Sequence, residues 1–359
     1  MTKSPSAKAY AQAGVDIALA DQLLEKAKPH FKKATRPESL GTIGGFGGFF
    51  DISKLKLRHP VLVSSTDSVG TKVSAARHTG IYRNLGADIV NHCANDIAVC
   101  GAEPLYFLDY YATGSLDDNY LVLMKGIAKA CSAGNVALVG GETAELPGVY
   151  NEGECDLVGS IVGAVDKTKI LTGESIRPGD VLLGLPSSGL HTNGFSLARK
   201  VLFAELGLTG DDPLPGFRQK VGPALMQPHV NYSPFLQSAY RKFNKATKAS
   251  ARKGNQLFGA AHITGGGFPG NIPRCLPEGC AAIIDTGAWK PLPVFQAICD
   301  QGCIPFEEAY EVFNMGMGMV LVIEPQSLGK ITALAQSFGH QAIPIGHIEA
   351  GSTAVHLQF

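Results

Sequence analysis

With 359 residues, 45% of them hydrophobic and 17% charged, the chain can bury the cores of two ordinary domains and is too apolar to be disordered. Lys+Arg and Asp+Glu both number 31, so a formal charge of zero gives no bulk attraction to nucleic acid or to an anionic membrane. The start, MTKSPSAKAYAQAG, has no apolar signal core and no stretch approaches the roughly 18 uninterrupted apolar residues of a membrane span; eight cysteines without a C-x-x-C pair read as reduced thiols, so the expected location is cytoplasmic.

In chain order, Leu19, Leu23, Ala27 and Phe31 recur every four residues after Asp16, which predicts a capped helix with Pro29 near its end. GTIGGFGGFF (41–50) is a glycine-rich loop. VLVSS (61–65) is a strand that exits into D-S-V-G-T-K; its Thr-Lys order is not that of a Walker loop. The stretch 86–100 is a helix with Ile89, Cys93, Ile97 and Cys100 on one apolar face, and Asp88, His92 and Asp96 on another beside Asn91 and Asn95. A solvated face normally carries Lys and Glu, so these poor helix formers require another reason. A strand PLYFLDYYATG follows, then a helix from Ser115 with Asp118 as a capping-box-like pair, and buried strands VALVGG and DLVGSIVGAVD. The polar stretch 167–180, with Pro178 and Gly179, suggests a division into domains 1–170 and 171–359. Beyond it come strand VLLGL, loop PSSGLHTNG, helix FSLARKVLFAELG, a helix near 232–243, loop AHITGGGFPGN, and further alternating strands and helices to AIPIGHI. This interleaving predicts an α/β fold.

Asp67 at a strand end, Asp96 on a helix and Glu142 after a buried strand are short oxygen donors of the kind Mg²⁺ takes. Gly265, Gly267 and Gly270 spell G-x-G-x-x-G, but NIPRCLP follows in place of a long helix, so the dinucleotide fingerprint fails. Such glycine loops can still cradle phosphate through backbone N–H groups. His191 and His262 stand in polar glycine contexts able to hold a small polar ligand, whereas His30, His229 and His356 have no such setting and receive no role.

Taken together, AGVDI, GGFGGFF, TDSVGTK, VNHCANDIAVCGAEPLYFLDYYATG, LVGGETAELPG, SSGLHTNGFSLARK, HITGGGFPGNIPR and FNMGMGM resemble, in order and spacing, the phosphoribosylformylglycinamidine cyclo-ligases (aminoimidazole ribonucleotide synthetases). One departure is Ser68, where that family usually has Gly. The resemblance implies an N-terminal mixed-sheet domain that dimerises and a C-terminal α/β domain. It also implies ATP-dependent activation of the formyl oxygen of formylglycinamidine ribonucleotide, followed by ring closure through a nitrogen of the same molecule. It places metal on Asp67, Asp96 and Glu142, and ATP or phosphate on Lys28, Gly44, Gly45, Gly47, Thr71, Lys72 and Asn95. Substrate falls to Asn193, Thr264, Gly265 and Gly266, with Asp96, His191 and His262 as the catalytic candidates. ATP and Mg²⁺ are the implied cofactors, potassium is left open, and the implied assembly is a homodimer without nucleic acid or membrane. Within the wider superfamily, the lack of Cys before Cys93, the ending HLQF, and His262 in place of an acid disfavour selenophosphate synthetases, hydrogenase-maturation dehydratases and the kinase or synthetase branches, respectively. Another ATP-using relative and a non-catalytic nucleotide-binding regulator are the competing readings.

Overall fold

Alternation and glycine placement build the N-terminal half. In the computed structural model, which describes residues 12–41 and 43–359, a hairpin β1 (Ser39–Leu40) and β2 (Phe49–Phe50) closes the glycine loop. Residues 1–11, the larger part of the stretch MTKSPSAKAYAQAG, and Thr42 lie outside the described residues. Strands β3 (Pro60–Ser68), β4 (Glu103–Thr113), β5 (Ala137–Glu145) and β6 (Cys155–Asp166) form a sheet in the order β3-β6-β4-β5. Only the β4–β5 pair is parallel.

Among the described residues four helices serve this half: α1 (Ile17–Phe31), α2 (Lys72–Thr79), α3 (Leu85–Ala98) and α4 (Asp118–Ala133). Asp16 caps α1 by accepting from the Leu19 amide. The predicted helix from Ser115 begins later, and its cap is Asp117, whose side chain accepts from Asn119 N–H. Helix α3 packs Ile89, Cys93 and Ile97 on the sheet, each buried to 1% exposure or less. Glycines in β6 permit this approach: a Cβ at Gly159 would stand 2.3 Å from the Phe107 ring and 2.7 Å from Ile89. Among the described residues the opposite sheet face carries Leu62, Thr66, Tyr110 and Glu142, all exposed, and Phe50 packs against Tyr106.

The C-terminal half is a six-stranded sheet, order β12-β9-β11-β7-β10-β8, antiparallel except for β12–β9. Its strands are β7 (Val181–Pro186), β8 (Leu257–His262), β9 (Cys280–Asp285), β10 (Met317–Ile323), β11 (Ile343–Ala350) and β12 (Val355–Gln358). Every residue of β8 and β10 is buried, so helices cover both faces here. Helix α5 (Phe195–Arg199) runs into a π-helical turn at Lys200–Glu205, and α6 (Ser233–Phe243) packs against α3. The halves are joined by residues 167–180, which hold one 3₁₀ turn at Lys167–Lys169.

Candidate active site

Helix α3 is the seam of the molecule. At its N-cap and along one face, Asn84, Asp88, Asn91 and Asn95 recur at helical spacing and bind the backbone of an extended C-terminal segment, residues 226–232. Asn84 donates to the Met226 carbonyl at 2.7 Å, and Asn91 to that of His229 at 2.8 Å. Asp88 accepts from His229 N–H at 2.7 Å. Asn95 donates to the Val230 carbonyl and accepts from Tyr232 N–H, both at 2.8 Å. This is the reason for the unusual Asn/Asp content: buried backbone groups require partners.

The next face of α3 gathers the reactive groups. His92 Nε2 lies 2.9 Å from Asp67 Oδ2 at the end of β3 and 3.5 Å from Asp96 Oδ2. Ser65 donates to that Asp96 oxygen at 3.0 Å, and His262 Nδ1, at the end of β8, lies 2.7 Å from Asp96 Oδ1. His262 Nε2 is 3.0 Å from His229 Nε2, and the His191 ring stacks on His229 with centroids 4.1 Å apart. His191 occupies the left-handed region at φ 62°. All four imidazoles are buried.

Burial opposes charge on each ring. For His191 and His229 it wins outright, with neighbouring cationic groups adding to it, and both sit well below the ordinary histidine value. It also lowers His262, against the pull of Asp96. In His92 burial is outweighed by the Asp67 hydrogen bond and the charges of Asp96, Asp67 and Asp88, so its pKa rises. Asp67 and Asp96 resist burial through their histidine partners and stay below the ordinary carboxylate value. The Asp96 contact makes Nδ1 the protonated nitrogen of a neutral His262. The result is two carboxylates beside one imidazole biased towards its charged form by them and a second, oriented imidazole biased towards neutrality by burial, at the junction of the halves.

Asp67, Asp96, His191 and His262 are thus brought into one cluster. Asn193 adjoins the glycine loop, since a Cβ at Gly265 would lie 3.4 Å from its amide nitrogen. Asn271 clamps that loop through the carbonyls of Thr264, Gly265 and Gly267, leaving Gly265 and Gly266 exposed. Thr71 is exposed, its Oγ1 3.0 Å from Ser196 Oγ.

Other assignments are corrected. Lys72 does not face a phosphate. It is fully buried, paired with Asp88 at 2.6 Å, and donates to the carbonyls of His191 (2.7 Å) and Gln227 (2.9 Å). Asn95 is also fully buried, its amide spent on the 229–232 backbone. Glu142 cannot join Asp67 and Asp96 on one ion within a single chain. Asp67, Gly159, Asp109 and Gly141 lie in register across four strands, so the edges carrying Asp67 and Glu142 are separated by about 14 Å.

Glu142 instead lines a cavity of about 650 Å³ with Gly44, Gly45, Gly47 and Asp109. Lys28, ion-paired with Glu25, lines a neighbouring one of about 330 Å³. Two residues escaped sequence reasoning. His229 sits in QPHVNY, a context without glycine, and only the periodic Asn/Asp of α3 signalled a docked segment. Asp109, in FLDYY, is a buried carboxyl pushed up to about 7 by loss of water.

The fold is that of a two-domain architecture already seen in solved proteins. E. coli HypE, a hydrogenase maturation protein, superposes with a TM-score of 0.63 at 19% identity, covering 94% of each chain. Family models for the AIR synthase related protein match as the N-terminal domain over residues 54–165 and as the C-terminal domain over 177–358. Phosphoribosylformylglycinamidine cyclo-ligases of Brevibacillus brevis and Shouchella clausii are 43% and 45% identical, over 97% and 95% of this chain and of each relative. The chain belongs to the AIR synthase related family and, within it, to the phosphoribosylformylglycinamidine cyclo-ligases.

Proposed function

We propose that this protein is an ATP-dependent cyclo-ligase that closes formylglycinamidine ribonucleotide to aminoimidazole ribonucleotide in purine biosynthesis. The observation that carries this reading is the 2.7 Å Asp96–His262 contact, which joins the two halves in a chain 43% identical to such an enzyme along its length. The γ-phosphoryl group of ATP passes to the formyl oxygen and ADP leaves. A nitrogen of the same substrate then attacks the formyl carbon, phosphate departs and the nitrogen loses its proton. Having both reacting atoms in one bound molecule removes the entropy cost of a second encounter.

Asp67 and Asp96 are the carboxylates suited to hold ATP-bound Mg²⁺, which when present neutralises phosphate charge. Neutral His262, oriented by Asp96, is the base assigned to the proton released on ring closure, its Nε2 exchanging the His229 contact for that proton. His92 fixes both carboxylates, and the α3 ladder fixes His229 beneath His262. Thr71 and the glycines at 44–47 suit phosphate contact. The uncovered sheet face with Leu62 and Tyr110 suits a second copy of the chain. In such a homodimer the glycine cavity and Glu142 of one copy complete the Asp67/Asp96 site of the other. A cytoplasmic location accords with this chemistry and with the unpaired thiols.

The test is to incubate the protein with ATP, Mg²⁺ and formylglycinamidine ribonucleotide and to quantify ADP and aminoimidazole ribonucleotide together. Equal amounts are expected, with His262→Ala slower by about 10²-fold or more. ADP without imidazole, or neither product from folded protein, overturns the reading.

A further inference from the structure

The loops that deliver the reactive groups continue into a second feature. Helix α2 starts just beyond the Asp67–Thr71 loop, and α5 just beyond the His191–Asn193 loop. Their first turns touch through Thr71 and Ser196. Ser74 and Arg199 each lie three residues further on, one helical turn and about 5 Å below that contact. There the helices part around a cleft of about 700 Å³ lined by Ser74, Arg77, His78, Glu154 and Arg199. It is continuous, through Ser74, His78 and Arg199, with a smaller hollow of about 430 Å³.

The charges in the cleft do not balance. Glu154 is its one acid and is committed to Arg77 at 3.1 Å and to Asn151 at 2.9 Å. Lys200, at the rim of the smaller hollow, has Glu205 at 3.6 Å. Arg199 is half-buried, and neither it nor Ser74 has a hydrogen-bond or ion-pair partner among the described residues. A guanidinium cannot relieve this by losing its proton, and its planar fork matches paired oxygens of an anion. Together with the Ser74 hydroxyl and the remaining Arg77 donors, it offers a convergent set for a tetrahedral dianion.

We propose that this cleft seats the 5′-phosphate of the ribonucleotide substrate, with Arg199 as its principal cation and Ser74 and Arg77 completing the shell. The identity of the phosphate ester rests on the cyclo-ligase reading; the anion site itself does not. ATP phosphates are the other source of this chemistry, and the experiment separates them.

Arg199→Gln removes the charge and leaves no protein partner orphaned. Steady-state kinetics on this variant should show KM for formylglycinamidine ribonucleotide raised about 10- to 100-fold, the usual range for lost charge-assisted hydrogen bonds. The KM for ATP and kcat should stay within about threefold, and Arg199→Lys should recover part of the loss. In parallel, ribose 5-phosphate should bind the wild-type protein by calorimetry and fail to bind Arg199→Gln. An unchanged ribonucleotide KM overturns the proposal, and a raised ATP KM reassigns the cleft to ATP and overturns it as well. If the protein forms no imidazole at all, loss of ribose 5-phosphate binding in the variant still upholds the anion site. Equal binding by both proteins sinks it.

Discussion

Buried charge is the recurrent cost in this molecule, and single residues show how it is met. Lys72 and Asp88 are driven towards neutrality by burial, and each is held by the other. Lys72 Nζ donates to two carbonyls, of His191 and Gln227, and lies 2.6 Å from the Asp88 carboxylate as an ion pair, so the pair fixes the His191 loop instead of meeting a ligand. Asp109 has no such partner among the described residues. Burial lifts its carboxyl from the usual 3.8 to about 7, so the folded protein binds a proton that the unfolded chain has released. Stability from this group is therefore fully present below about pH 4 and is lost as pH rises through about 7, by up to about 4 kcal/mol. Asp109→Asn should match the wild type near pH 4 and exceed it above pH 7 in denaturant unfolding. A difference that does not change with pH would refute this account.

At the scale of elements, α3 explains both what could be read in advance and what could not. Its apolar face was legible because Ile89, Cys93 and Ile97 recur at helical spacing against one sheet. Asp67, Asp96 and His262 could be singled out in the sequence by residue type and context, and the fold brings them into one cluster. The ladder was not, because its partner backbone lies more than 130 residues away in sequence and offers only main-chain groups, which no side-chain pattern announces. Lys72 was misread for a related reason: a lysine after a glycine turn looks the same whether it meets phosphate or a buried aspartate.

The same helix lies so close to α4 that a Cβ at Gly86 would sit 2.1 Å from the Leu123 carbonyl and 2.8 Å from Ile127 N. Gly86→Ala must push α3 outwards, together with His92 and Asp96. A loss of at least 1–3 kcal/mol in urea unfolding is expected, with turnover falling alongside. Gly329→Ala is the control. It sits in the helix Leu328–Ser337 with nothing within 4 Å of the added carbon, and should gain about 0.5–1 kcal/mol. If both changes cost the same, close helix contact is not what Gly86 serves.

For the whole molecule, the decisive fact is the width of the N-terminal sheet. Asp67 and Asp96 gather at the β3 edge with His262, while Glu142 and the glycine loop line their cavity at the β5 edge. One chain cannot fold these edges together, because β4 and β6 lie between them in continuous register. In the proposed homodimer two copies meet through the uncovered face, and each would supply half of either site. On that arrangement Asp96→Asn and Glu142→Gln disable different halves. A mixed dimer of the two variants contains one site with both acids intact and one with neither. Equal mixing makes half of the dimers mixed, so refolding the inactive variants together should restore about a quarter of wild-type turnover. Activity no greater than the sum of the separate variants would mean that each chain completes its own site. In that case the uncovered face would need another explanation, and Leu62→Glu, expected here to yield inactive monomers in sedimentation, would leave turnover untouched.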